Sequence, residues 1–394
     1  MAVNFTLRLK SIMKFIKHNL NTIIFFVISS VIMGCVIYFG ISNPSEYVGI
    51  NSDNISHERV KVIAVKSQDV SVNAEGIMQG VQELEVRFLT GRHKGKTTSI
   101  NNILTLRQSV FAKEKQNLIV MLDQPTDDYY IATVYSYDRG ATILVIVIAF
   151  FLLLIALGGN RGWRSAFGLV FTFVMLIFFL IPMVTMGYSP VAVSVITMIP
   201  IVVVSLISLT GFTKKTRVAI LSTGIGVILA GVIFAIMGAL LHITGYNVQE
   251  IETLVIIAHR TDIQIRDLLF AGVLISCLGA VMDIAVSVAS SVCEIHELNP
   301  DAGQKTLFRA GYRIGRDITG TMANTLILAF AGSFFITLFL FWIYNLRFIQ
   351  LINMDQIAIE IMVALAGTSA LVLTAPLTAF IASRTYINKK LKCK

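Results

Sequence analysis

Apolar residues dominate eight stretches of the chain: Thr22 to Ile41, Ala141 to Leu157, Ser165 to Met183, Val191 to Thr210, Val218 to His242, Leu268 to Ser291, Ile318 to Tyr344 and Ala358 to Ser383. A helix rises 1.5 Å per residue, so each run has roughly the length that crosses the ~30 Å hydrocarbon core of a bilayer. The segment between the first two runs has a different character. From 43 to 139 charged and polar residues are spread throughout, and short apolar alternations recur at Val60 to Val65, Leu84 to Phe88, Leu118 to Leu122 and Tyr130 to Tyr135. Period-two runs of β-branched residues between Gly, Asn and Asp predict a small antiparallel β domain, with an open barrel as one form it can take. The expected fold is mainly α: a polytopic helical membrane bundle of about eight transmembrane helices with a small extracytoplasmic β domain inserted after the first helix. Its parts are a cytoplasmic basic tail and anchor helix (1–42), the β domain (43–139), a seven-helix membrane domain (140–385) and a basic cytoplasmic tail (386–394).

Polar residues inside the runs are the candidate chemistry. Asp283 lies about 12 Å from the inner end of the run Leu268 to Ser291. A carboxylate at that depth costs about 2.5–3.5 kcal/mol on insertion scales, so it is expected to face other helices or a wet cavity. It either handles an ion or substrate or is a buried acid that glues two helices. Gly279, Asp283, Ser287, Ser290 and Glu294 follow at steps of four and three, which puts them on one helical face. On the next run Thr321, Asn324, Thr325 and Leu328 share a face, with Gly332 one turn further, and Thr and Asn can give a carboxyl group hydrogen bonds in hydrocarbon. Asp283, Ser287, Thr321, Asn324 and Thr325 therefore form the candidate proton or ion relay. Gly279, Gly320 and Gly332 are the candidate close-packing positions. Asp317, next to Arg316, stands where the run at Ile318 begins and reads as a helix N-cap in a basic loop.

Composition and charge place these elements in a membrane. The 394 residues are 55% hydrophobic and only 14% charged, against about one quarter charged in soluble domains. The net charge of +9 would point to nucleic acid in a soluble protein, but here it follows topology. Eighteen Lys and Arg lie in the tails and the loops near 161, 214–217 and 305–316, against three in the short loops 184–190, 243–267 and 345–357. That bias puts both termini in the cytoplasm and residues 43–139 outside. Two loops read as surface helices. Val248, Ile251, Leu254, Val255 and Ala258 form an apolar stripe in the outer loop, and Lys305, Arg309, Arg313 and Arg316 form a basic stripe suited to anionic headgroups in the inner one.

Several functions are excluded. Gly91-Arg-His-Lys-Gly95-Lys96-Thr97 has three residues between its glycines where a phosphate-binding loop has four, and it lies between strand-like runs, so a β-hairpin turn explains it better. No hydrolase or metalloprotease motif is present, and Cys293-Glu-Ile-His296-Glu297 reads as a helix end, not a metal site. Cys35, Cys277, Cys293 and Cys393 leave the outer segment without a disulfide framework. The chain is expected not to be an enzyme, to carry no cofactor or metal, and to bind neither nucleotide nor nucleic acid. Its expected partner is the lipid bilayer, with a second copy or a related membrane subunit left open.

An outer β domain after an anchor helix, followed by Gly279-Ala-Val-Met-Asp283 and Gly315-Arg-Asp-Ile-Thr-Gly-Thr-Met-Ala-Asn324-Thr, resembles the YibE/F family of bacterial multi-pass membrane proteins. The resemblance implies a bacterial plasma-membrane location but no established activity. The same motifs, with Arg309-Ala-Gly-Tyr312 between them, are similar to the SecD/SecF and RND proton-driven transporters, and this implies a proton-path role for Asp283. Two extra spans after the outer domain, a much smaller outer domain and the lack of a basic partner within a span set the chain apart from them. Proton-linked transport or export through Asp283 is one expectation. A non-catalytic membrane subunit or receptor, whose outer domain binds a partner, is the alternative.

Overall fold

The computed structural model describes residues 2–43, 55–74, 76–106, 108–126, 129–247, 251–258 and 263–387, with only the backbone course given for 2–19 and 125–126. Two compact units result: Val48–Leu153, and Met1–Tyr47 with Leu154–Lys394. The chain is mainly helical, with one antiparallel sheet near the N-terminus.

Five strands form that sheet: β1 (Ile55–Val72), β2 (Met78–Phe88), β3 (Thr97–Leu104), β4 (Asn117–Thr126) and β5 (Tyr129–Tyr137), in the order β3-β2-β1-β4-β5. Val60 of β1 pairs with Phe88 on one side and Leu118 on the other, and Leu84 pairs with Ile100. These side chains are buried with Val62, Val86, Val120 and Val134, so the alternation in the sequence becomes one apolar face. Irregular register between Val62 and Ala64 and between Val65 and Ser67 lets the long β1 bend, and the edge strands β3 and β5 approach one another. The Gly91–Lys96 segment is the β2–β3 turn, closed by Gly95 N–H donating to Phe88 O at 2.9 Å.

A polar cluster inside this sheet was not legible in the sequence. Gln82 accepts from the Ala112 N–H and from Asn102 Nδ2, and donates to Ala112 O, while Asn102 also donates to Val110 O. These bonds fix the 105–116 loop over the core. Gln82→Leu leaves the Ala112 N–H unpaired, at about 1–3 kcal/mol. The expected result is faster amide exchange across 105–116 than in the wild type; unchanged exchange would refute the role given to Gln82.

The helical elements are α1 (Ala2–Ser42), α2 (Gly140–Met175), a π-helical turn at Leu176–Leu180, α3 (Ile181–Thr185), α4 (Pro190–Thr210), α5 (Lys214–Leu240), α6 (Ile251–Ala258), α7 (Leu268–Leu298), α8 (Gln304–Ser333), α9 (Phe335–Ile343), α10 (Phe348–Ile352) and α11 (Asp355–Tyr386). Among the described residues six continuous helices, and one bent pair, are long and apolar enough to cross a bilayer. The count falls below eight because Gly140–Thr185 forms one run of 46 residues. Gly159 interrupts it with φ 52° and ψ −130°. Gly162 then packs on the carbonyl of Leu154, eight residues back, which a straight helix would hold about 12 Å away. Pro182 cannot bond the carbonyl of Phe178, which accounts for the loosened turn at 176–180. Gly40 of α1 sits against that carbonyl; a Cβ there would be 2.7 Å from the Phe178 oxygen.

Two boundaries differ from expectation. The basic stripe at 305–316 and the following run are one continuous helix, α8, and the run predicted to reach Tyr344 breaks after Ser333, where α8 and α9 meet at 57°. The break falls at Gly332-Ser333, a pair that commonly marks kinks, and the Ser333 hydroxyl donates to Phe330 O at 2.7 Å. In the 243–267 loop α6 carries the predicted stripe from Ile251 to Ala258, and Val248 lies outside the described residues.

The core of the helical unit is built by α5, α7, α8 and α11. Small residues set its spacing. A Cβ at Gly315 of α8 would stand 3.1 Å from Ala375 Cβ of α11 and 3.2 Å from Val288 Cγ2 of α7, and Gly311 meets Ala379 and Val292 one turn earlier. Helix α8 therefore runs antiparallel to both α7 and α11. Gly226 of α5 meets Val281 and Thr374, while Gly231 meets Leu274 and Phe270, so α5 also opposes α7. The Tyr386 hydroxyl donates to Ala289 O at 3.2 Å and ties the end of α11 to α7.

Candidate functional site

Helix α7 is buried on most of its surface. Cys277, Leu278, Val281, Ile284, Ala285, Val288, Ala289 and Val292 all pack into the core. What remains uncovered is a strip at steps of four and three: Gly272, Ser276, Gly279 and Asp283 are exposed, Ser287 and Ser290 half-buried, and Glu294 exposed again. The strip contains the polar face legible in the sequence and extends it by two turns. At its far end a cavity of about 360 Å³ is lined by Gly245, Leu254, Leu268, Gly272, Ser276 and Val363 among others. Ser276 is seven residues from Asp283, or about 10.5 Å along the helix. Gly279 lies between them, and a Cβ there would meet nothing within 4 Å. The cavity thus adjoins the uncovered strip of α7 that carries Gly279 and Asp283.

The contacts expected around Asp283 are not formed. Thr321 donates to Ile318 O, and Thr325 to Thr321 O and Met322 O, all on their own helix. Among the described residues no hydrogen bond or ion pair reaches Asp283, and Asn324 is exposed. The packing register explains the geometry. Val292 meets Gly311 and Val288 meets Gly315, so stepping along the antiparallel pair brings Asp283 level with Gly320, beside Thr321 and a turn from Asn324. These residues share a level without sharing a bond.

Three further expectations are corrected. Gly279, Gly320 and Gly332 are not close-packing positions, since a Cβ at each meets nothing within 4 Å; Gly226, Gly311, Gly315 and Gly367 take that role. A buried glycine and an exposed one look alike in a sequence without knowledge of which face is covered. Asp317 is not an N-cap, because α8 starts at Gln304 after Gly303 and places Asp317 in its middle. Asp317 and Arg316 are both exposed and lie 3.9 Å apart at Oδ1 and Nε, an arrangement worth little in stability. The third expectation had Asn324 as a hydrogen-bond donor to the acid, and the register leaves it without that contact.

A second acid was missed. Glu360 of α11 is half-buried and lies near Ser333 of α8, whose hydroxyl donates to Phe330 O. The helical register agrees, because Gly367 and Leu326, seven residues along each helix, are also neighbours at 3.8 Å. The signal was an acid two residues inside the last apolar run. Glu360 lies one turn from Val363, which lines the cavity at the head of the strip. Two acids therefore lie near the strip, Glu360 a turn from the cavity-lining Val363 and Asp283 about 10.5 Å along α7 from Ser276.

The family model for YibE/F-like protein matches residues 146–388, which include α4 to α11, both acids and the close-packing glycines. The chain belongs to the YibE/F-like family. No curated protein and no solved structure matches it. The YibE/F-like region therefore holds the whole candidate site, whereas the five-stranded sheet lies before it.

Proposed function

We propose that this YibE/F-like chain is a multi-pass protein of the bacterial plasma membrane that couples proton movement to transport or export, with Asp283 taking up and releasing the proton. The observation that carries the reading is the uncovered strip Gly272–Ser276–Gly279–Asp283, which joins a cavity to an unpaired carboxylate. A glue acid would be covered and bonded; Asp283 is exposed, and no described residue bonds it. In hydrocarbon such a strip is costly unless water or another protein covers it. The alternating directions of α5, α7, α8 and α11, the two limbs of the run broken at Gly159 and the distribution of Lys and Arg support eight spans with both termini in the cytoplasm. In that orientation the cavity and Glu360 lie toward the outer face, so the proton enters from outside. The similarity to SecD/SecF and RND transporters around Gly279–Asp283 supports the same role. The chemistry is proton relay and not bond-breaking catalysis, and no cofactor takes part.

A second reading has one observation behind it. Asn324, Leu328 and Gly332 of α8 are exposed beside the strip, a surface that a second copy or a related subunit would cover, with the outer sheet as a docking module. Proton uptake into proteoliposomes under an imposed pH gradient separates the two. The transport reading expects uptake above that of empty vesicles, and its loss in Asp283→Asn. Wild-type uptake equal to that of empty vesicles would leave only the subunit reading.

A further inference from the structure

A second cavity, of about 730 Å³, lies between α1 and the segment that follows the Gly159 break. Thr22, Phe26 and Ser30 of α1 line it with Asn160, Trp163 and Arg164. Phe26 packs on Trp163 at 4.6 Å and on Phe167 at 5.0 Å between ring centroids, and Gly40 packs on Phe178. The two segments therefore run side by side in the same direction, with Thr22, Asn160 and Arg164 at one end and Val27 and Val31 further along.

The polar end is built to receive charge. Arg164 Nε is buried without a hydrogen-bond partner among the described residues, a costly state for a guanidinium donor. Asn160 Oδ1 accepts the Trp163 indole N–H at 2.8 Å, which orients the amide and commits its acceptor, so that its N–H groups remain as donors. Residues 2–42 and 140–185 contain no Asp or Glu, while Arg161 adds a second cation beside the site. Positive charge, a buried guanidinium Nε without a partner, exposed amide donors on Asn160 and no acid within these two segments call for an anion. The other wall is apolar, with Ile23, Phe26, Val27 and Val31 presenting about two turns of hydrocarbon.

We propose that this crevice binds an anionic glycerophospholipid, with Arg164 and Asn160 donating to the phosphate oxygens and the α1 wall holding the start of an acyl chain. A guanidinium suits a phosphate because its fixed fork donates two bonds at once. The positive-inside bias places this end at the cytoplasmic leaflet, where anionic headgroups gather. The site is separate from the Asp283 strip and does not depend on its function. It accounts for an unpaired buried donor that the rest of the fold leaves unexplained.

The test is native mass spectrometry of the delipidated full chain in detergent, titrated separately with phosphatidylglycerol, phosphatidylcholine and inorganic phosphate. Saturable retention of one phosphatidylglycerol is expected, stronger than that of phosphatidylcholine and not displaced by inorganic phosphate. Arg164→Gln should weaken it about ten- to hundredfold, as expected for loss of a charge-assisted bond. Arg87→Gln removes an exposed charge from strand β2 and should leave it unchanged. Asn160→Ala, judged together with its melting temperature, keeps the test open if Arg164→Gln fails to fold, and it too should weaken retention. Equal losses in Arg164→Gln and Arg87→Gln, or retention untouched by both Arg164→Gln and Asn160→Ala, would overturn the proposal. Displacement by inorganic phosphate would also overturn it, because the site would then belong to a soluble phosphate compound.

Discussion

Asp283→Asn is expected to melt with the wild type while proton uptake falls to the level of empty vesicles. The amide keeps the shape of the carboxyl group but cannot gain and lose a proton. Because no described residue bonds to Asp283, its replacement strands no donor, and the stability change should stay within about 0.5 kcal/mol, as for surface sites. The geometry extends this to Asp283→Leu, which should also fold normally. Had Thr321, Asn324 and Thr325 held the acid, the leucine variant would have left them unpaired at a cost of about 0.6–2 kcal/mol. Normal melting with lost uptake in both variants fits the open strip. A leucine variant that melts early while the asparagine variant stays active would restore the glue reading.

Gly311→Val is expected to be the most damaging single change in the helical unit. A Cβ at 311 would press on the Val292 side chain and stand 3.1 Å from Ala379 Cβ, and valine adds two more carbon atoms at the point where three helices meet. Overpacking of that kind costs about 1–3 kcal/mol or more where backbones must separate. Gly279→Val provides the contrast, since a Cβ at 279 meets open space. Thermal unfolding in detergent should show a clear drop for Gly311→Val and little change for Gly279→Val. Equal drops would mean that helix propensity, and not the α7–α8–α11 crossing, sets the cost.

These two glycines show what the sequence carries and where it stops. Hydropathy fixed the helices and period two fixed the strands, because those patterns are local. Asp283 stood out because its environment is implied by the run around it. The depth of a glycine in a crossing depends on partners on other helices, Val292 and Ala379 for Gly311, so Gly311 and Gly279 could not be told apart. Asp317 was misread for a related reason. A basic amphipathic turn followed by an apolar run looks like a loop and a fresh start, yet nothing between Gln304 and Ser333 stops the helix, so the two join as α8. Glu360 was legible and was passed over because it lies near the end of its run, where an acid reaches water easily. The Gln82–Asn102 cluster could not be foreseen, since it pairs residues on two strands with a loop whose course the sequence does not reveal.

The central claim is that water reaches the level of Asp283 from the outer face along α7. The most direct measurement is sided thiol labelling in a chain with Cys35, Cys277, Cys293 and Cys393 replaced. Single cysteines go at Ser276 and Gly279, with Ser189 as an outer-loop control and the core residue Val281, which is 0% exposed, as a buried control. A membrane-impermeant reagent added outside should label positions 189, 276 and 279 and leave 281 silent. Labelling at 189 alone would contradict the account, because the strip would then face lipid or a protein partner, and Asp283 would have no path to a proton.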